Sequence, residues 1–462
     1  EYDGTTYQDV DPYIPTIAIS SPPAGGGTLF EEVNLLTGIK KQEFVGDNSA
    51  TLYQFAELAI DADTVLCTVD GVAKIENTDF TVNRTLGQAT FTVAPGLDAE
   101  VIFTWTKVVA GNADLVKKNK YFMDFGPGND TNMFLWGNPD QHDRRMRSGI
   151  LRADYWPVNN FTLIGSGQFA ITSVKQVYNR QLIFTQGQAF WSTSEFNSTT
   201  GKFEYPVSDL NESSGMVAFG QGQLVDNKPI TLFTHQIKEW VSQTQIEDER
   251  NEKTISDKIK LSLADLDLTQ AITFDFQKNN EYWLNIDDKV YIWNYFNDTF
   301  YIFDNINANS FVEIDGIPFY GAVGTVERFD PDSTNDNGVL YIARMELGFT
   351  DFGEPTFYKT SRKCWVVVNP AARTGIQVSF ATNKINATNA KQLKLIRYIL
   401  FDFNDIDFEK FSFETNRNPQ TKGLKMRTGK YTTIKMIFIN DQLDETLILL
   451  NFSIKAEIVG EV

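Results

Sequence analysis

Histidine and cysteine are nearly missing from this chain, which has two of each in 462 residues, and that scarcity narrows the chemistry open to it. A Ser-His-Asp triad or a histidine-based metal site would have to use His142 or His235. His142 sits in the charged loop NPDQHDRRMRSG and His235 in a turn between two apolar runs, so both are expected to be solvated or locally hydrogen-bonded. Cys67 and Cys364 are far apart and no CxxC occurs, which excludes a disulfide framework or zinc ribbon and predicts two buried free thiols. No apolar run approaches the roughly 18 residues of a membrane span. The opening EYDGTTYQDVDPY has neither the basic nor the apolar block of a signal peptide, so no membrane insertion is expected.

Positive charge is also in short supply. Lys and Arg number 41 against 60 Asp and Glu, a net charge of -19, so the average surface repels phosphates and anionic membranes. Nucleic acid as a tightly held ligand is therefore not expected, although a wall that does not trap counterion-bearing DNA suits a passage through which DNA slides. No phosphate-cradling GxxxxGK[ST] is present, GSGQFA (165–170) falls between strands, and GPGND (126–130) reads as a turn. Carboxylates such as Asp265, Asp267, Asp287, Asp288, Glu346 and Asp351 are too numerous for any pair to stand out as glycosidase acids. The sialidase-type repeat Ser-x-Asp-x-Gly-x-Thr-Trp is missing. DPDSTNDNG (330–338) has the composition of a calcium loop without its ordered ligand spacing or terminal Glu. No catalytic set, cofactor or metal is expected, and the chain is not expected to be an enzyme.

Aromatic residues are abundant, with 36 Phe, 17 Tyr and 8 Trp, and a chain of this length is expected to form two or three domains. Residues 1–27, ending in the Pro- and Gly-rich SSPPAGGG, read as an extended N-terminal arm. Residues 28–110 hold period-two runs with Asp-Gly and Leu-Gly turns, among them VLCTVDGVAKI (65–75) and AEVIFTWTK (99–107), and read as a small antiparallel β-domain.

Over 111–355 an approximate repeat emerges when hairpin ends are aligned on tryptophan, with Trp136, Trp191, Trp240 and Trp293 spaced about 50 residues apart. FTQGQAFW (184–191) and FTHQIKEW (233–240) match best, and a more degenerate hairpin can be placed at GAVGTVERF and VLYIARMEL (321–347). Units of this size, each holding about four short strands and a fixed aromatic, predict a β-propeller of about five or six blades with the four tryptophans in its core. The one helix candidate is the charged stretch 240–259. Longer alternating runs over 356–462, with polar loops such as TNRNPQTKG (415–423), predict a C-terminal β-sandwich. The fold class expected is thus all-β. Arg144, Arg145, Arg147 and Arg152 form the one local cationic cluster noted. They read either as surface ion pairs with Asp140, Asp143 and Asp154, or as candidates for contact with an acidic face of the next subunit in a ring.

Four passages resemble the propeller-containing structural proteins of tailed bacteriophages, those of the tail nozzle or hub and of related necks. They are NLLTGIKKQEFVGDNSATLYQF (34–55), VDGVAKIENTDFTVNRTLGQATFTVAPGLDAEVIFTW (69–105), FGPGNDTNMFLWGNPDQHDRRMRSG with DYWPVNNFTLIGS (125–149, 154–166), and ARMELGFTDFGEPTFYKTSRKCW (343–365). The resemblance implies a virion component assembled in the bacterial host cytoplasm. It implies a ring, commonly a homohexamer, stacked on an adaptor or portal-proximal ring and on tail fibres. DNA would be present only as transiting cargo during genome ejection. A carbohydrate-binding or glycoside-cleaving secreted propeller is the rival from a different class.

Overall fold

Alternation of apolar and polar side chains is realised as strand nearly throughout. In a computed structural model of the chain, strands take up 51% and helix 5%, so the protein is all-β. The structure describes residues 4–6, 10–128, 130–241, 252–331, 333–385, 390–403, 408 and 412–461. Two compact units divide after Phe329, rather than at 355 where the sequence rhythm changes. Among the described residues no helix is long and apolar enough to cross a membrane.

The first unit opens with a six-stranded sheet in the order Thr28–Leu29, Thr16–Ser21, Ile39–Asp47, Leu97–Thr106, Leu66–Val69, Val72–Lys74. Thr16–Ser21, inside the segment expected to be an extended arm, is a strand parallel to Ile39–Asp47, because Ile17 and Ala18 are apolar enough to be buried there. A three-stranded sheet of Leu52–Gln54, Gln88–Phe91 and Phe80–Asn83 lies against a shared core of Phe44, Tyr53, Phe55, Phe80, Phe91, Phe103 and Trp105. Phe55 stacks on Trp105 with ring centroids 4.5 Å apart. Burial of each such ring stabilises the unit by on the order of 2–3 kcal/mol, so this cluster accounts for most of its cohesion.

Five antiparallel sheets follow in chain order, each a meander of consecutive strands. Meander 1 is Tyr121–Phe125, Asn132–Trp136, Arg144–Arg147 and Phe161–Leu163. Meander 2 is Ile171–Val177, Arg180–Thr185, Ala189–Thr193 and Val207–Asn211, with a side hairpin at Glu195–Asn197 and Lys202–Glu204. Meander 3 is Gln223–Val225, Lys228–Phe233, Gln236–Trp240 and Glu252–Thr254; meander 4 is Ile272–Phe276, Glu281–Ile286, Lys289–Asn294 and Thr299–Asp304. Meander 5 has three strands, Ser310–Ile314, Ile317–Ala322 and Thr325–Arg328.

Two-residue turns at Asp226-Asn227, Thr234-His235 and Asp315-Gly316 all have positive φ, the backbone that matches the twist of a tight hairpin. Ala343–Glu346 does not join meander 5. It pairs with Ile434–Asn440 in the second unit, so the degenerate hairpin at 321–347 is split between two units. Half of the helix candidate at 240–259, residues 242–251, lies outside the described residues; the described remainder holds the end of the strand Gln236–Trp240, the strand Glu252–Thr254 and a single 3-10 turn, Asp257–Ile259.

The second unit has two antiparallel sheets. One runs Ala343–Glu346, Ile434–Asn440, Arg373–Thr382, Lys391–Ile399; the other runs Gln420–Lys425, Phe357–Val368, Leu449–Glu461. Both contribute to one core that includes Cys364, Val366, Phe380, Met436 and Phe438. Gln420–Lys425 overlaps a stretch expected to be loop. Its polar, glycine-containing sequence has little strand propensity of its own, and its register against Lys363–Val368 supplies the order.

Candidate functional site

Of the four arginines that are candidates for subunit contact, Arg145 is buried, Arg144 and Arg147 are half-buried and Arg152 is exposed, and each has a partner within its own chain. Arg145, on the third strand of meander 1, is 1% exposed and reaches across to meander 2. Its guanidinium donates to Gln181 Oε1, to Ser192 Oγ at 3.5 Å and to the Tyr205 carbonyl at 3.3 Å, and stands 4.9 Å over the Phe134 ring. Burial pushes this guanidinium down, with nearby Arg147 adding to the effect. Arg147 donates to the Phe203 carbonyl and Asn160 Oδ1 and faces the Tyr205 ring. Arg144 covers Phe161 and Arg152 covers Tyr13, each 3.9 Å from the ring centroid. Arg145 and Arg147 therefore fasten meander 1 to meander 2, and Arg152 packs on the N-terminal segment; neutral acceptors and aromatic faces are their partners.

The segment that Arg152 touches is tied down by one amide. Asn34 is fully buried. Its Nδ2 donates to the carbonyls of Tyr13 and Asp154, both at 2.8 Å, and its Oδ1 accepts from the backbone of Leu36 and Trp156. Nothing in the sequence distinguishes this Asn from the many around it, so its role as a hub was not legible there.

The four tryptophans do not mark equivalent places. Trp240 and Trp293 each stand fifth after a two-residue turn, counted from Gln236 and Lys289 as first. Both face the preceding meander: Trp240 lies 5.1 Å from Phe184 of meander 2, and Trp293 shares a core with Ile230 and Leu232 of meander 3. In meander 2 the turn closes between Thr185 and Gln188, which places Trp191 fourth and Phe190 third. Phe190 is the buried residue, packed with Trp136, Ile171 and Ile183 between meanders 1 and 2. Trp191 is half-buried under the Arg180 guanidinium, 4.9 Å from its ring. Trp136 belongs to a second strand and faces meander 2. Matching FT-x5-W aligned letters across turns of unequal length, and an offset of one residue turns a strand side chain to the opposite face.

First strands of successive meanders also touch. Gln223 Nε2 donates to the Thr273 carbonyl at 3.0 Å and to its Oγ1 at 2.9 Å, while Thr273 N donates to Gln221 Oε1 at 2.8 Å. Lys278 Nζ donates to the Gly316 carbonyl, joining the first turns of meanders 4 and 5. Three carboxylates gather at that end. Asp226, Asp275 and Glu281 act on the Tyr295 hydroxyl, which burial first of all pushes up to about 12. The Asp275 carboxyl is raised by desolvation, opposed by a hydrogen bond from Gln277, and raised further by Asp226 and Glu313. One Asp275 oxygen is buried without a hydrogen-bond partner. Glu281 is buried and accepts from Trp283 Nε1 at 2.9 Å and from the Tyr301 hydroxyl at 2.5 Å. A carboxyl that burial makes a weaker acid, close to other carboxylates, is an arrangement that acid-base chemistry uses.

Residues weighed for other chemistry are placed as follows. His142 Nε2 lies 3.1 Å from the Gly167 carbonyl in the GSGQFA loop, and His235 Nδ1 lies 2.9 Å from the Leu266 carbonyl. Burial pushes the Cys67 thiol up to about 12 and the Cys364 thiol up to about 11, so both stay protonated and unreactive. Glu346 pairs with Lys435 and Arg344. In the stretch 330–338, Asn335 Nδ2 donates to Asp444 and Gly338 N to Asn335 Oδ1, the geometry of a turn. Among the described residues no group of three His, Cys, Asp or Glu side chains is arranged to hold a metal ion.

Neither a protein-family model nor a curated protein matches the sequence. Solved structures do, at low similarity. The core factor of S. cerevisiae matches at 11% identity and a TM-score of 0.29 over 68% of this chain and 54% of its own, so the chain spans about half of that protein's length. An exo-beta-1,3-galactanase of Phanerochaete chrysosporium matches at 10% identity and a TM-score of 0.26, over 72% of this chain and 95% of the other. A glycoside hydrolase family 43 arabinoxylan arabinofuranohydrolase of Bacillus subtilis matches at 10% identity and a TM-score of 0.22, over 90% and 96%.

Proposed function

We propose that the chain is a structural component of a phage virion, a ring of the tail nozzle, hub or neck, whose five meanders are the blades of a β-propeller between an N-terminal β-unit and a C-terminal β-sandwich. The observation that carries this reading is how the meanders use their polar side chains. Arg145 joins the first to the second, Gln223 and Thr273 join the third to the fourth, and Lys278 joins the fourth to the fifth. Groups of the kind that would line a working pocket are thereby committed to scaffold, as befits a part that must keep its shape while DNA passes. The four passages that resemble nozzle, hub and neck proteins frame this stack, and the acidic balance suits a conduit.

The ring would sit against an adaptor or portal-proximal ring and tail fibres, with DNA only as transiting cargo. Light scattering on the purified chain, alone and with the portal or adaptor protein encoded beside it, tests this. A closed ring of about six copies that co-purifies with the portal side is the expected result; a stable monomer that binds or cleaves glycans ends the reading.

A second reading has one observation in its favour. Asp275, with its raised carboxyl among Asp226, Glu281 and Glu313, is the kind of group a glycoside-cleaving propeller would use as its acid. Glycan hydrolysis abolished by Asp275→Asn, with the fold intact, would select it.

A further inference from the structure

The charge of the chain is divided very unevenly between its units. Residues 330–462 hold 17 Lys and Arg against 16 Asp and Glu, a balance of +1. Residues 1–329, with the other 24 bases and 44 acids, stand at -20. Three basic side chains of the second unit stand side by side on one sheet. There Lys363, on the central strand Phe357–Val368, stands directly opposite Lys425 on one side and Lys455 on the other. Opposite residues point to the same face, and the next residue, Cys364, is in the core, so the three ammonium groups form a row on the outer face. All three are exposed.

Like charges directly opposite each other destabilise a sheet, and a row of three repeats the penalty. Arg362 and Arg427 extend the row, and with Lys363 and Lys425 they line a cavity of about 490 Å³. Among the described residues Arg362, Lys363, Lys425 and Arg427 make no ion pair, and only Lys455 has a carboxylate near, Glu457 at 3.4 Å. An anionic surface laid against this sheet face would relieve that cost.

The molecule offers one itself. The second turns of meanders 3 and 4 lie at the end away from Asp275. There the exposed Asp287 and Asp288 form the turn, Asp304 faces Lys289 across the strands, and Asp265 and Asp267 flank Leu266, whose carbonyl meets His235. We propose that the row Lys425–Lys363–Lys455 docks on this acidic end of a second copy of the chain. The contact joins unlike surfaces, so it propagates head to tail and closes into a ring when the rotation permits. The proposal rests on the ring reading for that closure alone; the pairing of the two surfaces is independent of it.

Charge exchange tests this on the full-length protein. Lys363→Glu is expected to weaken self-association on the order of tenfold or more, while raising the melting temperature by about 1–3 °C, because the row of three like charges becomes alternating. Asp287→Lys with Asp288→Lys is expected to weaken association as well, and mixing the two variants is expected to restore it through complementary surfaces. Assembly of Lys363→Glu equal to that of the unaltered chain overturns the docking surface and leaves the ring reading standing. Salt-sensitive open chains that Lys363→Glu prevents support the surface and overturn the ring. Unchanged self-association together with lost binding to a DNA oligonucleotide assigns the row to nucleic acid and overturns the proposal.

Discussion

At the scale of the residue, position along a strand decides what an aromatic does. Phe190 and Trp191 are neighbours, yet the former is buried between two meanders and the latter is half-buried beneath an arginine. Phe190→Ala is expected to cost about 3–5 kcal/mol through a cavity between sheets, and Trp191→Ala about 1–2 kcal/mol. Urea midpoints of the two variants check this, and a larger loss at Trp191 would restore the tryptophan repeat as first read. Arg145 teaches the same lesson for charge. In the sequence it is one of a local cluster of four arginines in an acidic chain and resembles part of a docking loop. In the fold it is an interior donor whose acceptors Gln181, Ser192 and Tyr205 come from 36 to 60 residues away.

At the scale of the element, strands and hairpins were largely legible, because period-two alternation and Asp-Gly or Asn-containing turns act locally. Leu66–Val69 with Val72–Lys74, and Phe80–Asn83 with Gln88–Phe91, lie in the runs that alternate most clearly. Elements that exist only through their partners were not legible. Gln420–Lys425 is strand because Lys363–Val368 offers it a ladder, and Ala343–Glu346 left meander 5 because Ile434–Asn440 pairs with it. The pair of meanders 4 and 5 depends on Trp283, whose ring meets Phe274, Phe276, Phe303, Phe311 and Phe329 with centroids 4.9 to 6.2 Å apart. Trp283→Ala is expected to cost about 3–5 kcal/mol and to speed amide exchange over 272–328 while the strands of 16–106 keep their protection. Uniform loss of protection across the first unit would show that the meanders unfold as one body with the N-terminal sheets.

For the whole molecule, the buried phenols and thiols make stability depend on alkaline pH. Burial pushes Tyr53, Tyr155, Tyr295 and Cys67 up to about 12 and Cys364 up to about 11. In the unfolded chain these groups ionise near their ordinary values of about 10 for Tyr and 8.5 for Cys. Between those values and the folded ones the unfolded state binds fewer protons than the native state, so stability falls as pH rises. These groups contribute almost no slope from pH 6 to 7, and the two thiols begin to contribute near pH 8. A denaturation midpoint that declines steadily above about pH 9 is expected, and one that stays level to pH 10.5 would show that the hydroxyls and thiols are open to solvent in the fold.

Composition and alternation alone determined that this chain is all-β in class with two free, buried thiols, because those properties depend on residue type and on neighbours within a few positions. Only the tertiary structure decided which aromatic of an adjacent pair is buried, that Arg145 is internal, and that three lysines from distant strands stand abreast. Each of these is a matter of register between segments far apart in the chain, and register is set by the packing of whole sheets, which no local pattern encodes.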